Sequence, residues 1–311
     1  MTELDVRRPF SRADALAAGL DAAVFRGPLV QRLFRGVYLS ADVPVTPHLR
    51  AQGAVVPFPD GAFASHASAA RVHAVPIPTL AEEYVTVTDP DHRRSRDAIR
   101  CLVRTSDDGV VHRGGLRVSG HARMFIELAE LIGLVDLVIV GDVLAGRGTV
   151  TPARLAAACR ASDLPGAARA RTAAALVRTG VDSPMETRLR LLIALAGLPE
   201  PEVNHEVRDE TGHVTRRYDL YYRRSRTLVE YEGRHHAEST SQWNSDIERR
   251  EELDDQARRL VVVTGDGIFV EPERTLHRIH RILMERGEPG VPKVLSNAWR
   301  LHFPGRRRIG A

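Results

Sequence analysis

Three carboxylate residues, Asp219, Glu230 and Glu232, have the type and spacing most suited to chemistry in this 311-residue sequence. They lie in two segments rich in Leu, Val, Thr and Tyr, residues 219–222 and 227–231, which a polar turn separates. This composition predicts a β-hairpin. Because side chains alternate along a strand, Glu230 and Glu232 are expected on one side of the second strand, where a paired strand brings Asp219 beside them.

Two interpretations of this carboxylate cluster remain open at the level of sequence. Carboxylates packed together repel one another, so a cluster of three is stable mainly when a cation neutralises it. Oxygen ligands favour Mg²⁺ or a similar hard ion such as Mn²⁺. Alternatively, the acids lie on a solvated sheet face and pair with Arg216, Arg217 and Arg223, because surface ion pairs of this kind are common.

A fourth acid, Glu186, belongs to the sequence S-P-M-E at residues 183–186. Ser183 suits the N-cap of a helix, Pro184 its first position and Glu186 its third, so the four residues form a capping box. An apolar stripe follows, formed by Leu189, Leu192, Ile193 and Ala196. The capping box therefore explains Glu186 without any metal.

Further ionisable residues follow the predicted hairpin. His235 and His236 could act as general base or as leaving-group acid, because histidine titrates near neutrality, and a surface turn explains them equally well. Gln242 precedes a predicted helix on which Asp246 shares a face with Arg249 and Arg250. A buried strand and a closing amphipathic helix are predicted at residues 260–264 and 272–286.

The order of these pieces resembles the PD-(D/E)xK nuclease superfamily, and more closely the endonuclease-like domains related to very-short-patch repair endonucleases. The likeness covers about residues 181–286 and rests on S-P-M-E, Y-D-L, V-E-Y-E-G-R-H-H and D-I-E-R-R. It implies an α/β domain of the restriction-endonuclease type, with a mixed sheet flanked by helices. It also implies a Mg²⁺ or Mn²⁺ site held by Asp219 and Glu230, which Glu186 reaches from the first helix.

The same resemblance implies that the D-x-x-R helix borders the site. Gln242 and Asp246 would then support it, and Arg249 or Arg250 could hold a phosphate oxygen by a bidentate contact. The sequence departs from the family pattern at the signature lysine, whose place is taken by Glu232, although the related group commonly shows an acidic residue there. The only lysine in the chain, Lys293, lies beyond the predicted core.

Composition and charge limit the possible classes of protein. Arg plus Lys against Asp plus Glu is 22 against 18 in residues 1–180, 17 against 22 in residues 181–290, and 5 against 0 in residues 291–311. The nuclease-like part is therefore acidic, so affinity for DNA is expected to come mainly from outside it. Two widely spaced cysteines indicate neither a disulfide framework nor a zinc site, and the start of the chain lacks a signal peptide. We expect a cytoplasmic protein without a membrane segment.

The beginning of the chain predicts a winged helix. Ser11 suits the N-cap of a first helix, Asp21 could open a second, and residues 33–39 alternate like a strand. In a winged helix the second of these helices enters the major groove of DNA. Phosphate contacts are then expected from Arg26, Arg32 and Arg35. A small structural helical cap is the alternative.

The front half also resembles the antitoxins of abortive-infection type IV toxin–antitoxin systems. The likeness covers about residues 5–160 and rests on R-G-V-Y-L, A-S-H-A-S-A-A-R-V-H and H-A-R-M-F-I-E-L-A. It implies promoter DNA as one partner and a toxin or other defence component as another. Short strands are predicted between residues 76 and 118, where Arg93, Arg94 and Arg96 form a basic cluster that a solvated loop or a phosphate contact would explain.

Taken together, these patterns predict four parts: a winged-helix-like domain, an α+β and helical middle region, an endonuclease-like domain and a basic tail. Their predicted limits are residues 1–75, 76–180, 181–290 and 291–311. A metal-dependent endonuclease that binds DNA is the leading hypothesis. A non-catalytic antitoxin or autoregulator with a nuclease-fold scaffold, and an RNA-processing nuclease, are the alternatives.

Overall fold

The computed structural model describes residues 4–94, 96–208, 210–233 and 257–305. The chain forms two compact units, and each combines separate stretches of sequence. The first unit consists of Met1–Ile132 and Gly148–Ala175, and the second of Gly133–Arg147 and Leu176–Ala311. Both contain sheets flanked by helices, so the chain is an α/β protein with mixed sheets.

The first unit begins with a small antiparallel sheet of three strands in the order β1-β3-β2. The strands are β1 (Phe10–Ser11), β2 (Val30–Phe34) and β3 (Val37–Ser40). Helix α1 (Arg12–Ala17) and a 3₁₀ helix (Ala22–Arg26) lie between β1 and β2. Ser11 caps α1 by accepting the Asp14 N–H, and Asp21 caps the 3₁₀ helix by accepting the Ala23 N–H. The structure thus confirms both predicted N-caps.

The second helix begins after Asp21 and ends before Gly27, as predicted, and it is a 3₁₀ helix of five residues. One expectation for this segment was wrong. The strand predicted over residues 33–39 is in fact a hairpin, since the chain reverses at Arg35 and Gly36 between β2 and β3. Gly36 has a φ of +79°, a left-handed conformation that glycine adopts readily.

A mixed sheet of five strands, in the order β6-β5-β4-β8-β7, forms the rest of the first unit. Its strands are β4 (Phe63–Ala64), β5 (Glu83–Val87), β6 (Ile99–Val103), β7 (Val110–Arg113) and β8 (Leu116–Ser119). The helices of this unit after α1 are α2 (Pro47–Val55), α3 (His66–Val72), α4 (His121–Leu128), α6 (Pro152–Ala161) and α7 (Ala167–Ala175), with a 3₁₀ helix at Pro90–His92. Helix α5 (Leu134–Gly146) belongs to the second unit.

The hydrophobic core of the first unit joins the small sheet to the larger one. Phe34 and Val37 pack in one cluster with Phe58, Val85 and Ile99. This cluster crosses residue 75, the predicted limit of the winged-helix-like domain. The burial of Phe34 and Val37 therefore depends on strands that follow that limit.

The second unit is built on a four-stranded sheet in the order β12-β11-β10-β9. Its strands are β9 (Glu202–Arg208), β10 (Val214–Tyr222), β11 (Thr227–Glu232) and β12 (Arg259–Thr264). Strand β10 is antiparallel to both of its neighbours, β9 and β11, whereas β12 runs parallel to β11. Its later helices are α8 (Pro184–Leu195), α9 (Gly265–Phe269) and α10 (Pro272–Glu285), with a 3₁₀ helix at Ala298–Leu301.

The predicted hairpin, closing helix and helix start are all present in this unit. Strands β10 and β11 pair as expected, and α10 begins at the predicted proline. Helix α8 packs on β10 and β11 and begins at Ser183, whose hydroxyl accepts the Glu186 N–H. Its predicted apolar stripe is buried. Across the described ranges, every helix is too short or too polar to cross a membrane.

Candidate functional site

Asp219 and Glu230 lie one residue beyond the last paired residues of the hairpin. Strand pairing sets Leu220 against Val229, and continuing this antiparallel register by one residue sets Asp219 against Glu230. Residues directly opposite each other on antiparallel strands project to the same side of the sheet. Both carboxylates are half-buried, and both line a cavity of about 300 Å³. The structure therefore brings together two of the predicted site residues.

The position of Asp219 is fixed by a hydrogen bond to the neighbouring strand. Its Oδ2 accepts the backbone N–H of Tyr231 at 2.8 Å. The flanking residues Tyr218 and Leu220 are buried, which anchors the strand on both sides of the carboxylate. Packing of strand β10 and a backbone contact from Tyr231 thus hold Asp219 in place.

Glu186 lies close enough to Asp219 for the two charges to interact. Its Oε2 accepts the Asp182 N–H at 3.0 Å, so the carboxylate serves the start of α8 as the capping box predicts. Burial raises the pKa of Glu186, and repulsion from the charge of Asp219 raises it further. One side-chain conformation therefore combines the structural role with proximity to Asp219.

Two of the three arginines proposed as partners for a solvated acidic face form ion pairs with other acids. Arg217 pairs with Asp182, and Arg223 makes two contacts of 2.7 and 2.8 Å with Glu202. Arg216 and Arg217 nevertheless line the cavity that contains Asp219 and Glu230. Arg217 was missed as a site residue, although its place two positions before Asp219 on one strand puts both on the same side of the sheet.

Glu232 takes a more exposed position at the end of β11, where its strand partner is Thr264. Among the described residues that line the carboxylate cavity, neither Glu186 nor Glu232 is present. Several predicted site residues lie outside the described part of the chain: His235, His236, Gln242, Asp246, Arg249 and Arg250. Their roles stay predictions.

The donor set suits a hard divalent cation with a small number of protein ligands. Within the described ranges, no group of three or more His, Cys, Asp or Glu side chains could hold a metal ion. Mg²⁺ usually keeps several waters and is bound by one or two carboxylates, which Asp219 and Glu230 could supply. The proximity of Asp219 and Glu186 adds negative charge that a cation would neutralise.

The predicted DNA contacts in the first unit are all at the surface. Arg26 ends the 3₁₀ helix, Arg32 lies on β2, and Arg35 occupies the turn between β2 and β3. By contrast, Ser65 and His66 are fully buried and hydrogen-bonded to each other at 2.9 Å. Because substrate cannot reach them, this Ser–His pair is part of the core.

No model of a known protein family matches the chain, and no curated protein matches it either.

Proposed function

We propose that the second unit hydrolyses phosphodiester bonds with the help of a divalent cation bound by Asp219 and Glu230. The observation that carries this proposal is that the two carboxylates, one on β10 and one on β11, line one cavity, with Glu186 close to Asp219. The mixed sheet, with β12 parallel to β11 and helices packed against it, agrees with the restriction-endonuclease type of domain that the sequence motifs imply.

Some residues of the site would bind the cation, and others would orient its ligands or hold the phosphate. Asp219 and Glu230 would hold the cation, and the hydrogen bond from Tyr231 would keep Asp219 oriented toward it. Bound Mg²⁺ or Mn²⁺ supplies a Lewis acid that polarises a phosphate and lowers the pKa of a bound water. Arg216 and Arg217, which line the same cavity, provide positive charge for a phosphate group.

The remaining predicted residues complete this proposal. Glu186 would extend the carboxylate set from the start of α8, and Glu232 would position a water at the edge of the site. His235 or His236 would transfer a proton, and Arg249 or Arg250 would hold a phosphate oxygen. DNA is the proposed substrate, and Arg26, Arg32 and Arg35 are proposed to contribute affinity from the first unit.

A second candidate function is a non-catalytic antitoxin or autoregulator that binds DNA, with a toxin or other defence component as partner. The exposed Glu232 at the place of the signature lysine favours it. In that case the nuclease-like unit is a scaffold, so DNA binding persists without cleavage.

A cleavage assay separates these functions. The full chain is incubated with plasmid, single-stranded DNA and RNA in Mg²⁺ or Mn²⁺, and compared with Asp219→Asn and Glu230→Gln variants. We expect cleavage by wild type and a loss of about a hundredfold or more in each variant, because the cation contributes several kcal/mol to the transition state. Calorimetric titration with Mn²⁺ should show the matching loss of cation binding.

Glu202→Gln provides the matched control, because Glu202 lies on the same sheet and pairs with Arg223 outside the carboxylate cavity. It should cleave like wild type. If neither wild type nor any variant cleaves any substrate while promoter DNA still binds, the hydrolytic proposal fails and the autoregulator takes its place. Cleavage of RNA alone would assign the site to RNA processing.

A further inference from the structure

A second cavity, in the first unit, is rich in arginine. It has a volume of about 560 Å³ and lies between the turn of the β2–β3 hairpin and the segment that leads into β6. Arg35 contributes from the turn, and Arg94 and Arg96 contribute from the segment. Asp97 is the one acidic residue among the described residues that line it. Side chains predicted separately as a DNA contact and a basic cluster thus meet at one place.

Arg96 is the most constrained of the three. Its side chain is half-buried, and its Nη1 donates a hydrogen bond of 3.3 Å to the carbonyl of Arg35. Its Nε is buried and has no hydrogen-bond partner in the described part of the chain. Since a buried guanidinium N–H without an acceptor costs free energy, this atom is suited to an acceptor from outside the chain.

Mutual repulsion among the arginines favours an anion at this cavity. Burial lowers the pKa of Arg96, and the charges of Arg94 and Arg35 lower it further. No carboxylate in the described ranges forms an ion pair with any of the three. The core residues Phe34 and Ile99 hold the two walls of the cavity together, so the guanidinium groups stay close despite their repulsion.

We propose that Arg35, Arg94 and Arg96 form a binding site for the phosphodiester backbone of nucleic acid. The planar guanidinium group matches phosphate oxygens by bidentate hydrogen bonds. Apart from the arginines, Asp97 is the only charged or amide side chain that lines the cavity among the described residues, so little is present to recognise a base or a sugar. Contacts to phosphate alone give binding that is independent of sequence.

This site goes beyond the proposed hydrolysis, because it requires neither Asp219 nor Glu230. Its test uses the full chain in EDTA, where no divalent cation contributes. The affinity for a short fluorescein-labelled DNA duplex is measured by anisotropy over a range of salt concentrations. Arg35→Gln, Arg94→Gln and Arg96→Gln should each bind roughly tenfold more weakly, as for the loss of one charge-assisted hydrogen bond. The slope of the logarithm of affinity against the logarithm of salt concentration should fall by about one, as for the loss of one phosphate contact.

Arg154→Gln is the matched control, because Arg154 is exposed on α6 in the same unit and lies outside the cavity. Asp97→Asn gives a test in the opposite direction: removal of the acid should strengthen binding several-fold, whereas Asp60→Asn, at another exposed acid of this unit, should have a smaller effect. Misfolding of the Asp97→Asn variant would weaken binding, so it could not produce this gain of affinity.

Two results would overturn the proposal. One is a loss of affinity in the arginine variants no larger than that of Arg154→Gln, together with no gain in Asp97→Asn. The other is a loss of inorganic phosphate binding in the arginine variants, measured by calorimetry, while their duplex affinity is unchanged. That result would assign the cavity to a free phosphate. If Arg96→Gln fails to fold, as judged by circular dichroism, the exposed Arg35 and Arg94 still decide between these outcomes.

Discussion

Glu186 combines two roles at the scale of a single residue. Its carboxylate accepts the Asp182 N–H, and its pKa is raised by burial and by the charges of Asp219 and Asp182. An acid with a raised pKa binds a proton more tightly in the folded than in the unfolded chain. Its contribution to stability is therefore greatest below the ordinary pKa of 4.5 and is lost as the pH rises through the folded value.

Glu186→Gln should therefore be as stable as wild type or more stable at pH 7. Glutamine also serves at the third position of a capping box, so the substitution removes the buried charge and keeps an acceptor for the Asp182 N–H. The advantage in free energy of unfolding should shrink as the pH approaches 4.5. Urea unfolding at several pH values in EDTA measures it, with the exposed Glu210→Gln as control. A loss of stability at pH 7 would show that the carboxylate charge itself is needed.

Two ion pairs join helices α5 and α8 and differ in burial, which determines how much each contributes to the free energy of unfolding. Asp142 on α5 accepts hydrogen bonds from Arg190 at 2.9 Å, from Thr187 and from the Arg178 N–H. The side chains of Asp142 and Arg190 are 3% and 0% exposed. A second pair, Asp136 with Arg188, joins the same helices but is 28% and 25% exposed. These two pairs allow a matched comparison.

Asp142→Ala should lower the free energy of unfolding by about 3–5 kcal/mol, because it removes the buried one of the two carboxylates that pair with the buried Arg190. Asp136→Ala removes the more exposed pair between the same helices and should cost about 1 kcal/mol or less. Urea denaturation followed by circular dichroism measures both. Equal losses in the two variants would contradict the dependence on burial.

The elements that sequence predicted correctly are those fixed by neighbouring residues. Ser11, Asp21 and Ser183 cap the helices that follow them, and the alternation around Asp219 gives the observed hairpin. The prediction of a single strand failed at Gly36, because the alternation of apolar and polar residues continues through the tight turn between β2 and β3. Sequence motifs named the facing carboxylates, since both lie within one hairpin.

Contacts between distant residues could not be predicted in this way. Arg190 on α8 contacts Asp142 on α5 across 48 residues, and both helices belong to the second unit. Arg96 contacts Arg35 across 61 residues. Neither association leaves a periodic or capping signal in the sequence. The arginine cavity therefore became visible only from the folded chain, as did the buried pair.

At the scale of the whole molecule, charge is divided unevenly along the sequence. Residues 181–290 carry 17 basic against 22 acidic side chains, and residues 291–311 carry 5 against 0. An acidic stretch that includes the carboxylate site repels a phosphate backbone, whereas the basic parts of the chain attract it. A cation bound by Asp219 and Glu230 would reduce this repulsion.

Mg²⁺ should therefore strengthen DNA binding by wild type but not by Asp219→Asn. In EDTA, Asp219→Asn should bind a duplex more tightly than wild type, because it has lost one repulsive charge. Addition of Mg²⁺ at constant ionic strength should improve wild-type affinity by about fivefold, on the order of 1 kcal/mol, and should leave the variant unchanged or weaker. Anisotropy measures both affinities, with a gel to verify that the duplex stays intact.

Glu202→Gln should respond to Mg²⁺ as wild type does, because Glu202 pairs with Arg223 away from the cavity. An equal response in wild type and Asp219→Asn would mean that Mg²⁺ acts on the DNA itself and that these carboxylates hold no cation.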